Sequence, residues 1–254
     1  MFTEIQMLKI VEEMKIKINL SLRMKFQEHR IGTGKYFVYG MSSNKINELI
    51  DKIKNNKLID KIGVHIHRKS QNISEWEIIT ELKDSLTKEN LKIIKFVNLG
   101  GGLPSIYANS NPKIFTYIFS KLEETKKWLS EQGIETIIEP GRFLAAPCVE
   151  LRTEIIQKYE NNLIINTTIY QCALDTILTE TKLLIKGELS EEEGEYFLIK
   201  GNSPTRDDIF RYRVKLNKNI KVGDEIIFIN AGAYNYSTNF FLYKELETEI
   251  KEDF

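Results

Sequence analysis

Short apolar runs rich in β-branched residues alternate with helical patterns through the first half of the chain. Runs of this length are typical of strands buried in a parallel sheet. Between the last two runs, Ile114, Ile118 and Leu122 recur at helical spacing. Pro112 precedes this pattern and Gly133 follows it, which predicts one helix between two strands and therefore a parallel crossover unit. The predicted strands cover residues 16–22, 62–66, 93–97 and 134–138.

The pattern changes from about Pro147 onward. β-rich runs follow one another without crossover helices, and glycines separate several of them. This predicts a mainly antiparallel sheet. Its predicted strands cover residues 149–156, 163–170, 183–186, 196–200, 212–216 and 225–230.

Counting strands defines the expected fold class. A (β/α)8 TIM-type barrel has eight parallel strands, and only four are predicted here. We therefore expect an α/β plus all-β chain. Residues 1–146 would form the C-terminal half of a barrel, and residues 147–254 an antiparallel β-domain.

Composition narrows the classes of partner. With 42% hydrophobic residues the chain can bury a sizeable core, and 36 basic residues balance 36 acidic ones. This balance argues against nucleic acid or an anionic membrane as partner. Two cysteines without metal-type spacing, no signal peptide and no apolar run long enough to span a bilayer favour a reduced, cytoplasmic compartment.

Candidate chemistry follows two of the predicted strands. Gly100, Gly101 and Gly102 come after one, and they allow backbone N–H groups to approach an anion such as phosphate, although a flexible turn also explains them. Glu139 ends the next strand, and Arg142 offers a guanidinium fork suited to the same phosphate. Because active sites of β/α barrels lie at the carboxyl ends of the strands, these groups are expected to meet.

His65 and His67 lie two residues apart on a predicted strand and therefore share one face of it. A metal site is one interpretation of this pattern, but it needs further ligands, and the only other histidine, His29, has no suggestive spacing. Packed, hydrogen-bonded histidines are the alternative. No metal is predicted.

Several segments together resemble one family. The chain contains G-G-G-L-P followed by E-P-G-R, with L-R-M, K-Y-F-V-Y-G-M, G-V-H-I-H-R-K-S-Q and A-G-A-Y in the matching order. It resembles the C-terminal part of the pyridoxal-phosphate decarboxylases of the ornithine, diaminopimelate and arginine group, which have the alanine-racemase-like fold. The resemblance implies pyridoxal 5'-phosphate as cofactor and a carboxy-lyase acting on a basic or diamino acid.

The resemblance also implies roles for individual residues. His67 would stack on the cofactor ring, and Glu139 would keep the pyridine nitrogen protonated. Asp207 would contact the distal group of the amino-acid substrate from a segment that reaches into a partner subunit, so activity implies a dimer. The residues expected at the phosphate are Ser70, Gly100, Gly101, Gly102, Gly141, Arg142 and Tyr234.

The chain departs from the family at three places. Arg68 and Lys69 stand where a small residue and glycine are usual, and Arg206 replaces the catalytic cysteine. An arginine does not release a proton near neutral pH, but it can bind a substrate carboxylate. The stretch that carries the family's Schiff-base lysine is not found, and nothing marks Lys25, Lys35 or Lys69 as a substitute.

Three hypotheses follow. The chain is the C-terminal piece of a split or truncated decarboxylase, completed by an N-terminal half-barrel chain that carries the lysine. Alternatively, it is an inactive relative that regulates an intact enzyme as a heterodimer partner. A phosphate-binding barrel enzyme outside the family is the third hypothesis, but a phosphate site alone does not need Glu139.

Overall fold

The computed structural model describes residues 9–10, 12–15, 17–26, 39–73, 75–235 and 246–251. The chain divides into two compact units. The first consists of Met1–Gly102 and Lys113–Pro140, and the second of Leu103–Pro112 and Gly141–Phe254.

The first unit alternates strands and helices, as the apolar pattern predicts. The four strands found among its described residues pair in parallel in the order β1-β2-β3-β4. They are half the number of strands in a (β/α)8 barrel, which confirms the predicted class. The elements are β1 (Ile18–Arg23), α1 (Ser43–Ile53), β2 (Ile59–His65), α2 (Ile78–Ser85), α3 (Lys88–Ile93), β3 (Phe96–Asn98), α4 (Ile114–Glu131) and β4 (Glu135–Ile137).

The strand register places polar residues in one row. Arg23 pairs with His65, and His65 pairs with Asn98, so the last residues of β1, β2 and β3 are neighbours. The preceding row contains Leu22, Val64 and Val97, whose side chains are buried. Because successive residues of a strand point to opposite faces, the polar row and the apolar row face opposite sides of the sheet.

The third strand begins later in the chain than the apolar pattern predicts. Residues 93–97 were expected, but the strand covers Phe96–Asn98 because α3 continues to Ile93. Thr87 caps this short helix, and its hydroxyl accepts a hydrogen bond from the backbone N–H of Asn90 (3.1 Å). The apolar pair Ile93–Ile94 therefore spans a helix end, not a strand start.

The described residues of the second unit are built around a six-stranded sheet of order β7-β10-β5-β6-β8-β9. All neighbours in it are antiparallel except β6 and β8, so the predicted antiparallel character holds with one parallel pair. The elements are α5 (Gly141–Ala145), a 3-10 turn (Ala146–Cys148), β5 (Leu151–Tyr159), β6 (Asn162–Ile165), α6 (Ile169–Cys172), α7 (Leu174–Thr179), β7 (Leu184–Ile185), β8 (Glu195–Lys200), β9 (Ile209–Leu216) and β10 (Glu225–Ile229).

The predicted strand at 163–170 is wrong beyond Ile165. The chain turns into α6 at Ile169 because two groups cap the start of that helix. The Thr168 hydroxyl accepts from the N–H of Tyr170 (3.4 Å), and the carboxylate of Asp208 accepts from the N–H of Ile169 (2.9 Å). Asp208 lies 39 residues further along the chain, so the local apolar pattern could not reveal it.

The helices of the described part of the chain do not include one with the length and apolar character needed to cross a membrane.

Candidate active site

The carboxyl ends of β2, β3 and β4 bring three side chains of the first unit together. Asn98 ends β3, and its amide donates a hydrogen bond to Oε1 of Glu139 (2.7 Å). The other oxygen, Oε2, lies 3.7 Å from Nε2 of His65 and 3.8 Å from Nδ1 of His67. The Glu139 side chain is 48% exposed, so its carboxylate faces the histidines while remaining accessible.

The surroundings of both histidines favour the neutral imidazole. Burial lowers the pKa of each imidazole below its ordinary value, the positive charge of Arg23 lowers it further, and the carboxylate of Glu139 opposes this change. The two rings meet edge to face, with centroids 5.9 Å apart. The carboxylate of Glu139, next to the two imidazoles, can accept a hydrogen bond from a protonated nitrogen or bind a cation.

The three glycines form a tight turn against β2 and the residues after β4. A Cβ at Gly100 would lie 2.4 Å from the carbonyl oxygen of Ile66, and one at Gly101 would lie 3.0 Å from that of Glu139. Gly100 also has φ +64°, and its N–H donates to Oδ1 of Asn98 (2.8 Å). The turn has no room for side chains, so its backbone is what a ligand would meet.

The loop after β2 buries Arg68 and leaves Lys69 exposed. Arg68 turns inward, where its guanidinium lies 5.2 Å from the ring centre of Trp76 and Nε donates to the carbonyl of Glu75 (2.6 Å). Burial lowers the pKa of Arg68 to about 10. Lys69 has no left-handed φ, so glycine is not required there. The following residue, Ser70, lies at the start of a turn.

Arg142 in the second unit is committed to a buried ion pair. Its guanidinium donates to both oxygens of Asp175 (2.5 and 2.9 Å) and to the hydroxyl of Tyr107 (2.8 Å). The side chains of Arg142 and Asp175 are 1% and 2% exposed. Asn235 completes the network, since its amide oxygen accepts from the N–H of Asp175 (2.9 Å). This bidentate pair anchors α5 to α7.

Tyr234 and Gly141 form the exposed side of the same network. The Tyr234 ring stacks on Arg142, with the guanidinium carbon 5.0 Å from the ring centre. Its hydroxyl lies 3.8 Å from where a Cβ of Gly141 would stand. Tyr234 is 58% exposed and has φ +59°, which places a polar hydroxyl beside the exposed N-terminal residue of α5.

The remaining candidate residues lie neither in the Glu139 cluster of the first unit nor in the Arg142 network of the second. Arg206 and Asp207 form an exposed ion pair of 3.4 Å, with side chains 94% and 75% exposed. Lys25 and Lys69 are exposed, and Lys35 lies outside the described residues.

Three residues that matter were not found from the sequence. Asn98 orients Glu139, Asp175 holds Arg142, and Asp208 organises the segment after β8 through bonds from Ile169 and Ser203. Only Asn98 had a usable signal, because it is a polar residue at the end of a buried strand. The two aspartates act across 33 and 39 residues of chain, which no local pattern records.

Comparison with known proteins identifies the protein family of this chain. Residues 1–146 match the family described as "Pyridoxal-dependent decarboxylase, pyridoxal binding domain". The chain therefore belongs to the pyridoxal-dependent decarboxylases, and pyridoxal phosphate is the cofactor of this family.

Individual relatives agree with this placement. The chain is 25% identical over 206 residues to the diaminopimelate decarboxylase of Bacteroides thetaiotaomicron, a match that covers 77% of this chain and 53% of the relative. The chain thus spans about half the length of this curated relative.

Two solved structures show the same fold. The lysine/ornithine decarboxylase of Vibrio vulnificus, complexed with cadaverine, superposes with a TM-score of 0.71 at 20% identity, covering 93% of this chain and 65% of that one. The diaminopimelate decarboxylase from M. jannaschi gives a TM-score of 0.72 at 20% identity, covering 91% of this chain and 57% of that one.

Proposed function

We propose that this chain carries the ring-binding and phosphate-binding part of a decarboxylase that acts on a basic or diamino acid. The observation that supports this best is Glu139. Its carboxylate is oriented by Asn98 and faces His67 beside the glycine turn. A phosphate site alone would not require such a carboxylate.

The residues of the first unit fit the cofactor. Bound pyridoxal phosphate would supply an electron sink for the electron pair left when carbon dioxide departs. Glu139 would hold the proton on the pyridine nitrogen, because a nearby negative charge favours the protonated form. His67 would lie against the ring. Ser70 and the backbone of the glycine turn would bind the phosphate.

In the second unit, Gly141 and Tyr234 are the exposed candidates for binding a phosphate. Arg142 is buried behind them and paired with Asp175, so we propose that it adds positive charge and fixes the start of α5. An N–H group at a helix start and a tyrosine hydroxyl are both suitable phosphate donors.

We propose that the exposed Arg206–Asp207 pair binds the distal ionic groups of the substrate. The named relatives act on diaminopimelate, lysine or ornithine, which carry a second ionic group far from the reacting carbon. Asp207 suits a distal amine and Arg206 a distal carboxylate, a combination that diaminopimelate offers. Their high exposure is compatible with insertion into the site of a partner subunit, and therefore with a dimer.

The lysine and the other half of the barrel are proposed to come from outside these 254 residues. β4 pairs only with β3 among the described strands, and Ile137 and Ile138 beside its end are 37% and 46% exposed. An uncovered apolar strand edge is normally paired or covered. A segment or separate chain supplying four strands would cover it and bring the lysine.

The test compares this chain with and without a candidate N-terminal half-barrel. Each sample receives pyridoxal phosphate, is reduced with borohydride, and has its modified lysine mapped by mass spectrometry. We expect modification of a lysine of the added half, with decarboxylation only in the mixture. In that mixture Glu139→Gln should cut turnover strongly, because an amide cannot favour the protonated pyridine nitrogen.

Two outcomes would change the proposal. Full activity of this chain alone, with the cofactor on Lys25, Lys35 or Lys69, would show that it carries its own lysine. Association with an intact decarboxylase, together with no activity in any mixture, would favour the regulatory heterodimer partner instead.

A further inference from the structure

His65 has no task in the proposed cofactor site, yet its imidazole points at Glu139. Its Nε2 is buried and makes no hydrogen bond to any residue that the structure describes. The nearest acidic atom, Oε2 of Glu139, lies 3.7 Å away, which is too long for a hydrogen bond. A buried polar atom without a partner in a native fold calls for an explanation, and an absent ion is one.

Three potential ligand atoms converge at this place. Nε2 of His65, Nδ1 of His67 and Oε2 of Glu139 all lie within 4.8 Å of one another, and no other such group occurs in the described part of the chain. Bonds of about 2.0–2.2 Å in tetrahedral zinc sites put the ligand atoms about 3.3–3.6 Å apart. The two separations from Oε2, 3.7 and 3.8 Å, need only a small contraction.

The surroundings of the three residues suit a metal. Asn98 holds Oε1 of Glu139 and leaves Oε2 turned toward the histidines, which is how outer residues orient metal ligands. His67 would give up only a long hydrogen bond from the N–H of Gly101 (3.4 Å). Two imidazoles and one carboxylate with an open fourth position form a known zinc ligand set.

We infer that His65, His67 and Glu139 bind a divalent transition-metal ion, with Zn²⁺ as the probe, when pyridoxal phosphate is not bound. This site goes beyond the proposed function but shares two residues with it, since His67 and Glu139 are also proposed to hold the cofactor ring. Metal and cofactor therefore exclude each other. A substitution of His65 distinguishes the two kinds of binding, because His65 is a ligand of the proposed metal and has no part in the proposed cofactor site.

Arg23 allows a second test, in which a substitution is expected to strengthen Zn²⁺ binding and not to weaken it. It pairs with His65 in the strand register, and its positive charge acts on both imidazoles. A like charge weakens the binding of a cation. Arg23→Gln should therefore tighten Zn²⁺ binding, an effect that damage to the fold would not produce.

The experiment is calorimetric titration of the cofactor-free chain with Zn²⁺. We expect one ion per chain, with the affinity reduced at least about ten-fold in His65→Gln. His29→Gln and Cys148→Ser are matched controls and should bind normally, since His29 is the remaining histidine and Cys148 is an exposed thiol. Co²⁺ should give the visible absorption of a tetrahedral site in the wild-type chain and lose it in His65→Gln.

The inference is overturned if no one-to-one binding occurs, if His65→Gln binds as tightly as wild type, or if Cys148→Ser abolishes binding. A further arm repeats the titration with saturating pyridoxal phosphate, which should weaken Zn²⁺ binding. Zinc that binds through His65 without this competition would support the metal site and count against the proposed ring position. Binding of the cofactor without any binding of zinc would support the proposed ring position and contradict the metal site.

Discussion

At the scale of single residues, Arg142 has a different environment from the one its sequence motif suggests. The E-P-G-R segment indicates a phosphate ligand, whereas the guanidinium is enclosed by Asp175, Tyr107 and Tyr234. Burial alone would lower the pKa of Arg142, but the hydrogen bond to Asp175 and its negative charge raise it overall. The arginine is therefore a permanent buried cation with a dedicated counter-ion.

This pair makes a prediction for stability. Arg142→Ala or Asp175→Ala should each lower the free energy of unfolding by about 3–5 kcal/mol, because each leaves the other charge buried and unpaired. Replacing both, as Arg142→Met with Asp175→Leu, should cost much less. Urea unfolding followed by circular dichroism measures these values.

Arg152→Ala is the matched control for that experiment. Arg152 pairs with Glu225 at 3.4 Å, but both side chains are about half exposed. Its removal should cost less than about 1 kcal/mol. If Asp175→Ala were no more destabilising than Arg152→Ala, the buried pair would not have the importance assigned to it.

At the scale of elements, the glycine turn and the end of α4 allow a paired comparison. Gly100 and Gly133 have nearly the same φ, +64° and +69°. A Cβ at Gly133 would meet nothing within 4 Å, whereas one at Gly100 would collide with the backbone of Ile66. The difference between the two sites is therefore the close approach of backbone, not conformational strain.

We predict that Gly133→Ala costs about 1–2 kcal/mol from the left-handed conformation alone. Gly100→Ala should cost about 1–3 kcal/mol more, because the turn must move away from β2. Thermal and urea unfolding give the stabilities, and fluorescence titration with pyridoxal phosphate should show weaker binding only for Gly100→Ala. Equal effects of the two substitutions would mean that the turn can shift freely.

The helices and strands also show where the local apolar pattern is sufficient to predict secondary structure. The helix at 114–131 was predictable because its apolar spacing lies within the segment itself. The strand predicted at 62–66 was also found, although it begins earlier, at Ile59, and ends at His65. The segment at 163–170 was not predictable, because Asp208 caps Ile169 from a distant loop. Its apolar residues fit a strand equally well, and a long-range hydrogen bond decides between the two structures.

At the scale of the whole molecule, one side of β4 pairs with no strand that the structure describes, and this makes a prediction about assembly. Ile137 is the last residue of β4 and Ile138 follows it, and their side chains are 37% and 46% exposed. We propose that four strands supplied by another segment or chain cover them. Ile138→Lys should weaken association with an N-terminal half-barrel by at least about ten-fold, because a buried charge replaces buried apolar area. Sedimentation or calorimetric titration measures the association.

Val222→Lys is the control for this substitution. Val222 is also an exposed apolar residue, 53% exposed, but it lies in a turn of the second unit. It should leave the association unchanged. Equal weakening by both variants would show that added charge, and not the edge of β4, is responsible.

The local sequence pattern was sufficient to predict the fold class and several residues of the candidate site. Periodicity depends on near neighbours in the chain, and parallel strands bring their carboxyl ends to one edge of a sheet. That reasoning predicts that His67, the glycine turn, Glu139 and Arg142 meet. In the structure the first three lie together in the first unit, whereas Arg142 pairs with Asp175 in the second. The roles of Asn98, His65 and Asp175 depended on the register between strands and on contacts across more than 30 residues. Hydrogen bonds and ion pairs form between groups that are close in space, and only the folded chain determines which groups those are.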